Sequence, residues 1–222
     1  GITAEILTGS TPVLVYLTNP VSLIANTLIY GCGALLIREV TRRRGLGWPR
    51  VVLLGAAYGI FEEGLVVNTW ANPWLPQVCV VSKGVATGIC DYGRVGGISL
   101  AWAVSLTTFH ALISITIPIL LVELLFPSRA ARPWLGRKAI AACVLGEALV
   151  LAGGLLLNVA SYRQHGQAGP LLVPYLVEVA LMAGLIALAL RRASPTATSS
   201  ATWPRSAPAT SSATWPPSAP AS

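Results

Sequence analysis

Apolar residues gather in five long runs, roughly Val21–Ile37, Val51–Val67, Ser99–Leu125, Ala139–Ala160 and Leu171–Leu190. Crossing a ~30 Å hydrocarbon layer takes about 20 helical residues at ~1.5 Å each. The first two runs sit near the short limit and can borrow flanking residues. The pattern predicts an all-α fold: a polytopic bundle of about five transmembrane helices within residues 1–192. Between the second and third runs, Val78–Val81 and Val85–Ile89 flank Ser82–Lys83–Gly84. That reads as a short hairpin, with a re-entrant segment or an ordinary connecting loop as the alternatives. Cys79 and Cys90 bracket it and can pair in an oxidising compartment. Cys32 and Cys143 fall in apolar runs and read as small hydrophobes.

Past Arg192 the pattern stops. Thr198–Ala209 (TSSATWPRSAPA) recurs almost unchanged as Thr210–Ala221 (TSSATWPPSAPA). A Ser/Thr/Pro/Ala tail of this kind has little to bury, so residues 193–222 are expected to be disordered. At the other end the chain opens on Gly1, with no basic segment ahead of an apolar one. A truncated or processed N-terminus without a cleavable signal peptide is the expectation.

Charge orients the helices. The first connection carries Arg38, Arg42, Arg43, Arg44 and Arg50, and the third carries Arg129, Arg132, Arg137 and Lys138. The second holds only Lys83 and Arg94, the fourth only Arg163, and no Lys or Arg precedes the first run. The positive-inside rule then places the N-terminus outside and the C-terminus in the cytoplasm, in a prokaryotic cytoplasmic membrane. Trp48, Trp70, Trp74, Trp102 and Trp134 all lie near predicted helix ends, as headgroup-level rings should. The composition, 54% hydrophobic and 10% charged, agrees with a membrane protein, since soluble domains carry roughly 25% charged residues. The net charge of +7 comes mostly from helix flanks without aromatic interleaving, so no nucleic-acid surface is expected.

Against this background two adjacent glutamates, Glu62 and Glu63, are costly and therefore informative. Counted from Val51, Glu62 lies about 16 Å deep, and His110, counted from Ser99 on the opposite side, lies about 16 Å deep too. Successive spans run antiparallel and are usually neighbours, so these side chains can meet near the midplane as an acid–base unit. Neighbours on a helix point ~100° apart, which predicts that only one glutamate faces His110. Thr107, His110 and Ser114 share one helical face, and Pro118 gives no N–H to the Ser114 carbonyl. The stripe reads either as the wall of a small wet cavity or as packing in which Thr107 and Ser114 bond their own backbones. A protonated glutamate acting as structural glue is the competing reading of the pair.

Glu147 and Glu178 fall in other layers and suggest steps of a proton path. Asn158 shares a face with Glu147. Glu123 is expected to snorkel or to pair with a basic loop residue, and His165 to be a solvated surface histidine. No metal or other cofactor is expected, because HExxH is absent and adjacent glutamates make poor tetrahedral partners.

An EE pair in one membrane helix, followed by a helix-borne histidine in the next, resembles the CAAX-protease and bacteriocin-processing family of intramembrane glutamate proteases. That family pairs EExxxR with FxxxH and a later HxxxN. Here Glu62–Glu63 and His110 match, while Val67 stands in place of the arginine and Leu106 in place of the phenylalanine, with Phe109 beside the histidine. Gly154 precedes Asn158 where the second histidine would be. The resemblance implies that Glu62 or Glu63 activates water against a peptide bond, that His110 orients water or stabilises the oxyanion, and that the substrate is a membrane peptide. Without the second histidine, a divergent or inactive relative is implied. Proton-coupled transport and an accessory subunit that binds a partner helix remain the other readings.

Overall fold

A computed structural model describes residues 13–75, 79–82, 85–88 and 92–191. The pairing expected as possible between Cys79 and Cys90, and the repeated tail, both fall outside what is described. A short helix, α1 (Val13–Thr18), leads into α2 (Pro20–Arg43), whose entry is capped by the Asn19 side chain. Helix α3 covers residues 48–66, α-helical over Trp48–Gly59 and π-helical over Ile60–Val66. Strands β1 (Cys79–Ser82) and β2 (Val85–Gly88) form the expected antiparallel hairpin, with Ser82 opposite Val85. A second small pair follows, β3 (Arg94–Val95) and β4 (Ile98–Ser99). Then come α4 (Leu100–Leu125), the turn-length α5 (Pro127–Ala130), α6 (Arg137–Gln164) and α7 (Leu172–Leu190).

Helices α2, α4, α6 and α7 are long and apolar enough to cross a membrane. The remaining expected span, α3, has the length but carries Arg50, Glu62 and Glu63. It is also the most enclosed helix. Val51, Leu54, Ala57, Tyr58 and Ile60 are all buried, and α2, α4, α6 and α7 each pack on it or on its π segment. Enclosure by four apolar helices is the setting in which a membrane bundle tolerates buried carboxyls. The core follows the same axis: Val51, Leu54 and Tyr58 pack with Ile37, Ile115, Ile119 and Ala189. The tryptophans lie at helix ends as expected, yet several are used internally. Trp70 is buried, Trp74 stacks on His165, and Trp134 lies under a guanidinium.

The end of the bundle holding the basic connections contains a buried ion network that the charge pattern alone presents as a mere flank. Arg42 grips Glu123 with both arms, at 2.7 and 2.6 Å, and Arg38 Nε lies 3.0 Å from the same carboxylate. Arg38 also donates to the carbonyls of Arg129, Ala130 and Arg132 and lies 3.5 Å over the Trp134 ring. Glu39 accepts from Arg43 and from the backbone N–H groups of Trp134 and Leu135. Glu123 therefore pairs with two basic residues counted in the first connection, but Arg38 and Arg42 stand on α2, so the expected loop partner is corrected to a helical one.

Candidate functional site

The closeness of α3 to α4 starts with two glycines. A Cβ on Gly55 would stand 2.9 Å from the Ala111 carbonyl oxygen, and one on Gly59 would stand 3.0 Å from His110 Cβ and 3.1 Å from Thr107 Cα. Gly55 and Gly59 are one turn apart, the small-xxx-small spacing that lets membrane helices touch backbone to backbone. That spacing was readable in the sequence, and it brings His110 against the glutamate-bearing helix.

His110 meets both glutamates. Its Nε2 lies 3.0 Å from Glu63 Oε1, and its Nδ1 lies 3.1 Å from Glu62 Oε2. The expectation that only one carboxyl faces the ring is therefore corrected, for two physical reasons. Residues 60–66 form a π turn with i→i+5 bonding, which narrows the angular step between neighbours. The two ring nitrogens also point apart, so diverging glutamates can hold one imidazole from either side. His110 is 1% exposed; the Glu62 and Glu63 side chains are 4% and 12% exposed. Glu63 thus keeps the most contact with the surroundings.

Other side chains complete the setting. Tyr30 stacks on the imidazole, with centroids 5.9 Å apart and planes within 7°, and Phe109 meets it edge-on. Thr69 Oγ1 donates to Glu63 Oε2 at 2.6 Å and also lies 3.1 Å from the Glu63 carbonyl. The turn at Asn68 explains this contact. Asn68 adopts φ 64°, the left-handed conformation that ends helices and that asparagine tolerates. The chain folds back there, and the Thr69 N–H bonds the Glu63 carbonyl at 2.8 Å. Tyr30 and Thr69 were not singled out from the sequence. An Asn just beyond an apolar run was the available signal for the turn.

The remaining expected residues separate. Ser114 Oγ and Thr107 Oγ1 are buried without hydrogen-bond partners among the described residues, while Thr108 and Thr116 are the hydroxyls that bond their own helix. Ser114 and Tyr30 line a groove of about 300 Å³ between α2 and α4 that extends to Arg38 and Trp134. Asn158 stands behind the site and donates to the Val66 carbonyl at 2.9 Å, closing the end of the π segment. Glu178 is wholly buried against Gly64, and Glu147 lines a separate cavity. His165 is exposed as expected, though stacked on Trp74.

Two shared protons satisfy this trio. Either a cationic imidazole donates to two carboxylates, or a neutral one donates to one glutamate and accepts from the other, protonated one. Both forms carry one net negative charge and differ only in where a proton sits, so a proton can pass between Glu62 and Glu63 through the ring. The three donor groups also lie within 4.8 Å of one another, compact enough to form three ligands of a metal ion.

No curated protein and no solved structure matches the chain. A family model does match, over residues 1–211, and the chain accordingly belongs to the uncharacterized membrane protein family that this model describes.

Proposed function

We propose that the protein is an intramembrane hydrolase of the glutamate type, acting on a peptide bond in a membrane-embedded segment. The observation that carries the reading is His110 held between Glu62 and Glu63 beside a groove whose wall includes Tyr30. Glu63, the more accessible carboxyl, takes a proton from water as general base. With both carboxyls ionised and the imidazole cationic, His110 gives its Nδ1 proton to Glu62 and takes the new one from Glu63. The trio thus passes from one negative charge to none during attack and later hands the proton to the leaving amine. Thr69 fixes the second Glu63 oxygen and points the first at the ring. Ser114 offers a hydroxyl to a substrate carbonyl in the groove. In this reading the N-terminus faces outward, residues 1–192 form the catalytic domain, and the tail after it plays no part in chemistry.

The test compares membranes containing the wild type with membranes containing Glu63→Gln, His110→Ala or Glu62→Gln, each checked for folding, by mapping new peptide termini in co-resident proteins. Termini seen with the wild type and lost in Glu63→Gln are expected. Identical sets of termini would overturn the proposal. Chelator should leave cleavage unchanged; loss restored by zinc would give the three donors to a metal instead.

Glu178 favours a second reading, proton-coupled transport. Its carboxyl is fully buried one residue beyond the pair, at Gly64, with neither oxygen bonded among the described residues.

A further inference from the structure

Helices α6 and α7 both pack on α3 rather than chiefly on one another. Between them lies a cavity of about 240 Å³, distinct from the groove beside Tyr30 and lined by Leu54, Tyr58, Phe61, Glu147, Met182 and Ile186 among others. Its lining contains one carboxyl and no Lys or Arg. Glu147 is 9% exposed; the Tyr58 hydroxyl and the Gly33 N–H lie near its carboxyl, but neither completes a hydrogen bond of good geometry. The Tyr58 hydroxyl on the same wall gives its proton to the Ile29 carbonyl instead. A carboxylate directed into an apolar cavity is costly unless a counter-charge enters.

We propose that this cavity binds a lipophilic cation, with Glu147 as the counter-charge. The lining selects the class. A hard metal ion that sheds its water to enter needs six or more oxygen ligands, and one carboxyl does not supply them. A primary ammonium would bring three donors to a wall with few acceptors. A quaternary or otherwise hindered cation brings none and gains from aromatic faces, which Tyr58 and Phe61 provide at a centroid separation of 5.8 Å. Met182 adds a polarizable surface that adapts to ligand shape. The rest of the wall comes from α2, α3 and α7, so an apolar ligand body would rest on all three. The site shares no residue with the Glu62–His110–Glu63 trio and does not depend on hydrolysis.

The experiment uses the full chain in nanodiscs and equilibrium dialysis of phenyltrimethylammonium, with binding to empty nanodiscs subtracted. Its neutral isostere, tert-butylbenzene, reports on apolar partition alone. Saturable cation binding is expected for the wild type, with no saturable binding of the isostere. Glu147→Gln should weaken cation binding at least tenfold. Met182→Trp, which fills the cavity and leaves the charge, should also abolish it, and it decides the matter if Glu147→Gln does not fold. Glu178→Gln should bind as the wild type does. The proposal is overturned by absent saturable binding to the wild type, by unchanged binding in folded Glu147→Gln or Met182→Trp, or by equal binding of the isostere.

Discussion

Replacing Gly59 with alanine adds a single methyl at the contact of α3 with α4. That methyl would stand 3.0 Å from His110 Cβ, 3.1 Å from Thr107 Cα and 3.3 Å from the Thr107 carbonyl oxygen. Carbon atoms in contact prefer about 3.5–4.0 Å, so α4 has to recede by roughly half an ångström or more. Rotamer changes give no relief, because two of the three neighbours are backbone atoms and the third is the root of the imidazole. Overpacking of this kind costs about 1–3 kcal/mol. The same displacement draws the ring away from carboxyls that it now meets at 3.0 and 3.1 Å. Stability read from SDS-induced unfolding in mixed micelles should fall by that amount, and the 15N resonances of the His110 ring should move toward those of an unpaired imidazole. Gly153, on α6, supplies the control, since a Cβ there meets nothing within 4 Å. Gly153→Ala should be neutral or stabilising by about 0.5–1 kcal/mol through helix propensity. Wild-type stability together with unshifted ring resonances in Gly59→Ala would refute the claim that backbone proximity sets the site.

Two further substitutions test neighbouring parts of the argument. Glu123→Ala leaves the Arg38 and Arg42 guanidiniums buried without their carboxylate, at side-chain exposures of 3% and 13%. Breaking a buried pair from one side costs about 3–5 kcal/mol, so the unfolding midpoint should drop well below that of Gly59→Ala. Thr69→Val keeps the shape but removes the 2.6 Å bond to Glu63, a hydrogen bond to a charged group worth about 1.5–3 kcal/mol. Cleavage should slow by roughly ten- to a hundredfold while the positions of the new termini stay the same.

The spans, the hairpin and the meeting of Glu62, Glu63 and His110 at one depth were legible in the sequence, because each follows from hydropathy and helical rise. Depth gives no azimuth. A uniform α-helix turns Glu62 and Glu63 ~100° apart; the π turn at residues 60–66 and the two diverging ring nitrogens together let both reach one ring. Arg38 and Arg42 were legible as a positive flank, yet their burial on Glu123 depends on α2 and α4 lying side by side, which charge counting does not encode. Thr69 was hidden for a related reason. It lies six residues from Glu63, beyond any helical period, and returns only through the left-handed turn at Asn68. Asn158 was expected only to share a face with Glu147; it is buried, and its partner is the Val66 carbonyl at the end of the π segment rather than the acid–base trio.

The trio and the ring stacked on it stand on π segments: Tyr30 within Leu28–Cys32, both glutamates within Ile60–Val66, and His110 at the start of His110–Thr116. A π turn is equivalent to one extra residue accommodated in an α-helix, and such turns concentrate at functional sites. In α4 the extra residue has an identifiable companion, since Pro118 brings no N–H to the Ser114 carbonyl and the helix resumes α geometry at Ile117. This makes deletion an informative perturbation. Removing Ile113, inside the π segment, leaves a continuous α-helix in which Ile115 and Ile119 keep facing the core they now fill. Removing Val104, in the α-helical part and 69% exposed, rotates every later residue by ~100° and carries His110 and Ile115 off their contacts. The Ile113 deletion should therefore retain most of the wild-type resistance to SDS unfolding, the Val104 deletion should lose it, and both should lose cleavage. Equal loss of stability in the two deletions would mean that the π turn is not an accommodated insertion, and the shared geometry of the three segments would then need another cause.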